Sequence, residues 1–248
     1  MPDKAQEAMR DLTRARDDMK GQERKARQQL NAFVLRHGHS WPKGKTRWTQ
    51  SHFNWLESMS FDQSWQQIVL QEYVDAVKAA TKRVAGMTDQ IMKALQDWNL
   101  SPVVDSLVAL RGIDKIAATV LLAGLGDISR FDSPRQLMAF LGDEHTSGDK
   151  RRQGGITLTG NSHARRMLVE CAWSYRFPAR QTMHLKRKAV NASEEAKAIA
   201  WKAQKRLCGR YRTLTQAGKN TKFVCVAIAR ELVGFIWDVV RQEMSKVA

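Results

Sequence analysis

The sequence predicts a mainly α-helical protein in which a long helical coiled-coil arm precedes a helical C-terminal domain. Three observations lead to this prediction. Residues 3–36 are highly charged and contain no proline, residues 62–98 repeat apolar side chains every seven positions, and the alternating pattern of β-strands is rare. At 248 residues the chain is long enough for one large core or for two or three smaller units.

The first predicted element is a long, exposed helix over residues 3–36. Its apolar side chains form a broken stripe that includes Met9 and Leu30. Such a stripe needs a partner to cover it. Gly38 and Pro42 end the helix.

Four tryptophans follow, interleaved with cationic side chains and a histidine. The residues are Trp41, Lys43, Lys45, Arg47, Trp48, His52, Trp55 and Trp65. Tryptophan rings beside cations can stack on nucleobases. Their more frequent role is a small satellite core packed between two helices, and the sequence alone leaves both interpretations open.

Residues 62–98 carry the clearest periodic signal in the chain. Apolar residues recur seven apart, and a second set lies three positions after the first: Leu70, Val77, Val84, Ile91 and Trp98, with Tyr73, Ala80, Met87 and Ala94. This seam of about four heptads predicts a coiled coil. The helix must pair either with residues 3–36 of the same chain or with a second copy, in which case its function is dimerisation.

The sequence Asn99-Leu100-Ser101-Pro102 interrupts the helical pattern. We therefore divide the chain into a helical coiled-coil or dimerisation region, 1–100, and a C-terminal domain, 101–248. Three further helices are predicted over residues 165–177, 192–214 and 222–243, and the middle one is strongly basic.

Residues 110–121 resemble a helix-hairpin-helix motif. In that motif a short glycine-containing turn directs backbone amides at a nucleic-acid phosphate, which makes Gly112 and Lys115 candidate DNA contacts. Asp114 stands where the motif usually has a second glycine. An ordinary helical hairpin is therefore an equally good interpretation.

The charge of the chain points to a polyanionic partner. The net charge is +16, and residues 147–222 hold 18 Lys and Arg against four Asp and Glu. Clustered positive charge of this kind is typical of nucleic-acid-binding surfaces. A ribosomal-type or merely soluble basic protein is the alternative.

Cysteine usage and hydropathy restrict the compartment and the cofactors. Cys171, Cys208 and Cys225 are odd in number and far apart, which argues against a metal site and against a disulfide framework. Charges follow the first residues at once, and no apolar run reaches the roughly 18 residues of a membrane span. We expect a cytoplasmic protein without membrane contact.

Residues 147–166 combine hydroxyls, glycines and cations in a way that suits phosphodiester chemistry. Ser147 precedes Gly148 and is the candidate nucleophile, although a Ser-Gly pair is common in loops. Glu144 and His145 could act as orienter and base, or they could be ordinary polar loop residues. The candidate contacts to DNA are Lys150, Arg151, Arg152, Thr157, Thr159, Asn161, His163, Arg165 and Arg166.

These residues also carry a family resemblance that extends over nearly the whole chain. The matching segments are 124–131, 133–138, 147–166, 199–204 and 227–232. They resemble the transposases of the insertion-sequence "one-ten" family, particularly its "eleven-eleven" branch, which is related to the Piv DNA invertases.

The resemblance implies an enzyme of two parts. A RuvC-like domain carries an Asp-Glu-Asp-Asp site for Mg²⁺, and a C-terminal transposase domain carries a nucleophilic serine in a Ser-Gly motif. By that motif the serine is Ser147. The resemblance further implies a coiled coil that supports a homodimer or higher oligomer, and recombination of DNA under the guidance of a structured RNA.

The chain departs from the family pattern in two places. It lacks the acidic tetrad, so we expect a truncated form with no cofactor of its own. Gly142 is followed directly by Asp143 and Glu144, as if three residues had been lost before Ser147. A displacement of about 1 Å can cost on the order of a hundredfold in rate.

The sequence therefore predicts a DNA transposase or site-specific recombinase of an insertion sequence, with a serine nucleophile. The alternative is a non-catalytic fragment of a transposase that binds nucleic acid or dimerises. A basic RNA chaperone is a third hypothesis.

Overall fold

A computed structural model describes residues 4–126, 128–141 and 161–247, and in these ranges the chain forms helices and no strand. The α-helices are α1 (Lys4–Arg36), α2 (Gln50–Glu57), α3 (Ser64–Ala94), α4 (Ser101–Leu107), α5 (Lys115–Leu125), α6 (Pro134–Phe140), α7 (Ser162–Ala172), α8 (Met183–Lys188), α9 (Glu194–Gln216) and α10 (Thr221–Val247). The prediction of a mainly α fold is confirmed. The chain divides into two compact units, one of residues 11–91 and one of residues 1–10 and 92–248.

In the unit of residues 11–91, α3 runs antiparallel to α1. Arg16 donates to the Thr88 hydroxyl at 2.7 Å, and Thr81 donates to the Glu23 carboxylate at 2.9 Å. From the first pair to the second, the residue number rises from 16 to 23 on α1 and falls from 88 to 81 on α3. The two helices therefore run in opposite directions. Of the two partners that the sequence left open for α3, the structure places residues of the same chain against it.

The core of this unit lies where α1, α2 and α3 meet. Its buried members are Leu30, Phe33, Val34, Leu56, Met59, Leu70, Val74 and Val77. Leu70, Val77, Ala80 and Ile91 of the predicted seam are buried, whereas the residues between them along α3 are mostly exposed. The seven-residue repeat therefore identified the buried face of α3, with Val74 as an addition that the pattern did not include.

In the unit that holds residues 92–248, α10 is the central helix. It packs against α4, α6, α7 and α9, and its apolar residues from Val224 to Val240 are almost all buried. Helix α5 is also buried along nearly its whole length and packs on α4 and α7. The first turns of α1 belong to this unit, where Gln6 and Arg10 donate to the carbonyls of Leu122 and Ala123.

Side-chain caps set several helix starts in this unit. Asp114, Ser133, Asn161, Thr182 and Ser193 each accept a backbone N–H three residues later, at the first turn of α5, α6, α7, α8 and α9. The Ser133-Pro134 pair is a sequence pattern that predicts such a cap. None of the described helices combines the length and the apolar character that crossing a bilayer requires.

Candidate nucleic-acid interface

Eight of the predicted site residues lie outside the part of the chain that the structure describes. They are Glu144, His145, Ser147, Lys150, Arg151, Arg152, Thr157 and Thr159. The other six belong to two places in the unit of residues 92–248. Asn161, His163, Arg165 and Arg166 are at the start of α7, and Gly112 and Lys115 are in the hairpin between α4 and α5.

Asn161 connects the start of α7 to the end of α5. Its side-chain oxygen accepts the Ala164 N–H at 3.0 Å, and its Nδ2 donates to the Gly124 carbonyl at 2.9 Å. A Cβ atom on Gly124 would lie 3.0 Å from that Nδ2, so glycine makes room for the contact. The side chain of Asn161 thus has a structural role directly after positions 142–160.

Arg165 attaches the end of α6 to the same turn of α7. Its guanidinium donates to the Leu141 carbonyl at 2.9 Å. Leu141 is the last described residue before positions 142–160, and Asn161 is the first after them. Both flanks of the segment that contains Ser147 are therefore fixed to one helical turn.

His163 and Arg166 differ in exposure. The side chain of Arg166 lies in solvent and approaches the Glu170 carboxylate at 3.4 Å, whereas His163 is half-buried. An exposed arginine at the first turn of a helix can contact a phosphate. Of the four predicted residues at the start of α7, Arg166 is the one placed to meet a ligand from solvent.

The hairpin residue Gly112 is packed against α7. Its φ of +86° is in the left-handed region, and a Cβ there would press on the Cys171 carbonyl and lie 2.8 Å from the Ser174 hydroxyl. The glycine is needed for backbone conformation and for close approach of two elements. This structural requirement explains the glycine whether or not the turn contacts DNA.

Charged side chains already surround the hairpin turn. The Asp114 carboxylate accepts the Ala117 N–H at 2.7 Å, and Lys115 pairs with Asp105 at 3.0 Å. A carboxylate at the N-terminus of α5 occupies the position in which a helix end binds anions. Asp114, which replaces the usual glycine, therefore acts as a cap.

Sequence reasoning missed Lys188, which supports the same turn from within. Its ammonium donates to the Leu110 carbonyl at 3.1 Å and to the Ile113 carbonyl at 2.6 Å. Burial lowers the pKa of Lys188 to about 8, while the charge of Asp114 opposes the shift. Its position at the end of the short basic helix α8 gave no signal in the sequence, because only the fold brings it to the turn.

The basic helix α9 carries cations with and without carboxylate partners. Glu231 pairs with Arg206 at 2.9 Å and with Arg210 at 3.2 Å. Lys202 and Arg212 have no carboxylate within 4 Å among the described residues. The positive charge of this helix is thus partly neutralised and partly available to a polyanion.

A groove between α8 and α9 combines positive charge with an aromatic ring. It has a volume of about 350 Å³ and is lined by Lys186, Lys197 and Trp201, among others. Lys205 lies 5.7 Å from the centre of the Trp201 ring. Glu194 also lines the groove and pairs with Lys197 at 2.8 Å. Lysines beside a half-buried indole can contact a nucleic-acid backbone and its bases.

Other nucleophile types are poorly placed in the described ranges. All three cysteines are buried, and burial raises the pKa of Cys171 to about 12. The hydroxyl of Tyr175 is fully buried, which raises the pKa of that group as well. A thiolate or phenolate nucleophile among these residues is therefore disfavoured.

Two comparisons with known proteins identify the family. A family model described as "Transposase IS116/IS110/IS902 family" matches residues 105–186. The "Putative transposase y4qE" of Sinorhizobium fredii is 44% identical over 245 residues, which are 98% of this chain and 59% of that relative. Residues 105–186 therefore carry the domain of this transposase family. The matched residues of this chain begin in α4 and end in α8. They include positions 142–160 and the flanking residues Leu141 and Asn161.

More distant relatives are transposases of named insertion sequences. The transposase for insertion sequence element IS1533 of Leptospira borgpetersenii is 26% identical over 88% of this chain and 64% of its own length. The transposase for IS1111A of Coxiella burnetii is 30% identical over 54% of this chain and 32% of its own length. The chain spans about three-fifths of the length of the first two of these relatives.

Proposed function

We propose that this chain acts on DNA as an insertion-sequence transposase and that Ser147 is its nucleophile. The observation that carries the proposal is the family match over residues 105–186, which contains the Ser-Gly pair of the sequence motif. The attachment of Leu141 and Asn161 to one turn of α7 supports it, because a nucleophile needs fixed flanks to reach a phosphate in line.

In the proposed step the Ser147 hydroxyl attacks a DNA phosphorus atom. A bond forms between Oγ and phosphorus as the serine hydroxyl loses its proton. The bond from phosphorus to one deoxyribose oxygen breaks, and that oxygen gains a proton to become a free hydroxyl, so the proton count balances. The serine phosphodiester conserves the energy of the original bond, so a second DNA hydroxyl can displace the serine and rejoin the strand. Arginines and lysines around the phosphate would stabilise the charge of the transition state.

We infer that DNA contacts cations in the unit that holds residues 92–248. Arg166 at the start of α7 and the cations of α9 without carboxylate partners are described by the structure, and Lys150, Arg151 and Arg152 would complete the phosphate contacts. Further partners in the proposal are a structured guide RNA and a second copy of the chain.

The family resemblance implies Mg²⁺ at a set of four acidic residues. In the described ranges no group of three or more His, Cys, Asp or Glu could hold a metal ion, so the donor set present there does not fit such a site. We propose that Mg²⁺ binds in an acidic RuvC-like domain and not among the described residues.

The decisive experiment detects the covalent intermediate. The full chain is incubated with supercoiled DNA that carries element ends, the cognate RNA and Mg²⁺, and a denaturing gel is probed for a protein–DNA adduct. We expect an adduct with the native chain, no adduct with Ser147→Ala, and an unchanged adduct with the control Ser60→Ala, which alters an exposed serine of the other unit.

An adduct that persists in Ser147→Ala would overturn the assignment of the nucleophile. Salt-sensitive DNA binding without any adduct would favour the second candidate function, a non-catalytic nucleic-acid-binding module. The unpaired cations of α9 are the observation that favours this candidate, because binding by them requires no nucleophile.

A further inference from the structure

A small aromatic pocket lies in the unit of residues 11–91, where the end of α1 meets α2. Its volume is about 180 Å³, and its lining includes Trp41, Arg47, His52 and Trp55. Pockets that enclose a whole small-molecule ligand are larger, at roughly 300–1,000 Å³. The space therefore suits one planar ring of a larger ligand better than a complete cofactor.

Three aromatic rings of the pocket are held at fixed angles. The centres of Trp41 and Trp55 are 5.2 Å apart at 60°, and His52 stacks on Trp55 with centres 5.6 Å apart at 22°. Trp55 also packs against the core of the unit, whereas Trp41 does not belong to that cluster. Trp41 can therefore offer a ring face to a ligand without being needed to fill the core.

His52 has a polar atom without a protein partner, although its side chain is only 1% exposed. Its Nδ1 accepts the backbone N–H of Trp48 at 3.2 Å, which leaves the ring proton on Nε2. No acceptor for this Nε2–H is found among the described residues. An N–H that lines a cavity can donate to a ligand that brings an acceptor.

Two further features keep His52 neutral and oriented. Burial lowers the pKa of His52, and the nearby charge of Arg47 lowers it further. Trp48, which holds the ring by its N–H, has a φ of +66° and is the one non-glycine residue with positive φ in the described ranges. Strained backbone of this kind is often retained at binding sites.

The segment of chain that forms the pocket carries only positive charges. Residues 24–56 contain seven Lys and Arg and no Asp or Glu. Lys43, Lys45 and Arg47 are exposed and have no carboxylate within 4 Å in the part of the chain that the structure describes. The ligand must therefore carry negative charge next to its planar ring.

We propose that this pocket binds one unpaired nucleobase of a single-stranded nucleic-acid segment. The base stacks against Trp41, its acceptor edge meets the Nε2–H of His52, and the adjoining phosphates contact Lys43, Lys45 and Arg47. A base inside a duplex is already stacked on both faces, so an unpaired base is required. The inference rests on the nucleic-acid binding of the proposed function and not on the chemistry of Ser147.

The test compares two tryptophans of the same unit. Trp41→Ala removes the stacking face, and Trp65→Ala removes a ring that is 74% exposed and lies outside the pocket. Binding of labelled 12-nucleotide dT and U strands, of an abasic strand with the same number of phosphates, and of a 12-base-pair duplex is measured by fluorescence anisotropy. The dT and U strands distinguish DNA from RNA as the source of the base.

We expect Trp41→Ala to weaken binding of a base-containing strand by about 5- to 150-fold, with no effect on the abasic strand. Trp65→Ala should bind like the native chain. Arg47→Gln should reduce the dependence of log affinity on log salt by about one phosphate contact. Trp41→Phe keeps a smaller ring, so its affinity for the base-containing strand should lie between those of the native chain and Trp41→Ala. Such an intermediate affinity would exclude misfolding as the cause of the loss.

Equal affinity of Trp41→Ala and Trp65→Ala for base-containing strands would overturn the proposal that the pocket binds a base. So would equal affinity of the native chain for abasic and base-containing strands. If the native chain bound no nucleic acid at all, the proposed function would fail together with the pocket. An adduct that persists in Ser147→Ala, together with strand binding that still depends on Trp41, would overturn the nucleophile and leave the pocket intact, so the two failures can be told apart.

Discussion

Arg165 and Arg166 are neighbours in the sequence, but they contact different surroundings. Arg165 is half-buried and holds the Leu141 carbonyl at the end of α6. Arg166 points into solvent beside Glu170. The sequence offers the same residue type at both positions, and only the placement of α7 against α6 separates an anchor from a surface cation.

This difference predicts opposite effects of the same substitution. Arg165→Met should lower the free energy of unfolding by about 1.5–3 kcal/mol, because it leaves a carbonyl without its charged donor. Arg166→Met should leave stability nearly unchanged and should reduce the slope of log DNA affinity against log salt by about one. Urea unfolding and a salt titration of DNA binding measure the two quantities.

Equal stability of both variants would contradict the anchoring role of Arg165. An unchanged salt slope in Arg166→Met would show that this side chain does not contact a phosphate.

At the scale of elements, the α4–α5 hairpin is held by groups that belong to other helices. Gly112 lies against the end of α7, and Lys188 at the end of α8 donates to two carbonyls of the turn. A local sequence motif describes the turn without these neighbours. The match to a helix-hairpin-helix motif thus predicted the hairpin but could not show that its glycine faces α7.

Two glycines with similar backbone conformation test this packing. Gly112 and Gly218 have φ values of +86° and +74°, but an added Cβ at Gly218 meets nothing within 4 Å. Gly218→Ala should cost about 1–2 kcal/mol for the left-handed conformation alone. Gly112→Ala should cost at least about 2 kcal/mol, because the methyl group must also displace the Cys171 carbonyl.

Thermal or urea unfolding of both variants gives the comparison. A Gly112→Ala variant no less stable than Gly218→Ala would show that the turn can move away from α7 without loss.

At the scale of the whole molecule, the oligomeric state depends on what covers the apolar seam of α3, the same chain or a second copy. Leu70 is 2% exposed within one chain, whereas Ile68, two positions earlier, is 53% exposed. Leu70 and Val77 are thus already covered by α1 and α2, whereas Val84 and Met87 of the seam are half-buried. A dimer cannot use the covered part of the seam without opening this core.

Leu70→Ala should therefore lower the free energy of unfolding by about 2–5 kcal/mol, with a midpoint in urea that does not change over a tenfold range of protein concentration. Ile68→Ala should change stability by no more than about 0.5 kcal/mol. Circular dichroism follows both transitions. A midpoint that rises with concentration would show that a second copy covers the seam.

Much of the fold was predictable because it depends on periodic patterns. The seven-residue repeat of α3, the proline-free run of α1 and the cap at Ser133 all describe interactions between residues close in sequence. The roles of Asn161, Arg165 and Lys188 could not be predicted, because each bonds to a carbonyl at least 24 residues away. Ser147 lies outside the described residues, and its assignment rests on the family motif.

The two anchors at the start of α7 also have an evolutionary consequence. Leu141 and Asn161 are held at one helical turn by contacts that do not involve the residues between them. Insertions and deletions between these positions can therefore accumulate without moving α6 or α7. The shortening before Ser147 is a change of this kind, so we expect its effect on the position of the serine and not on the stability of the fold.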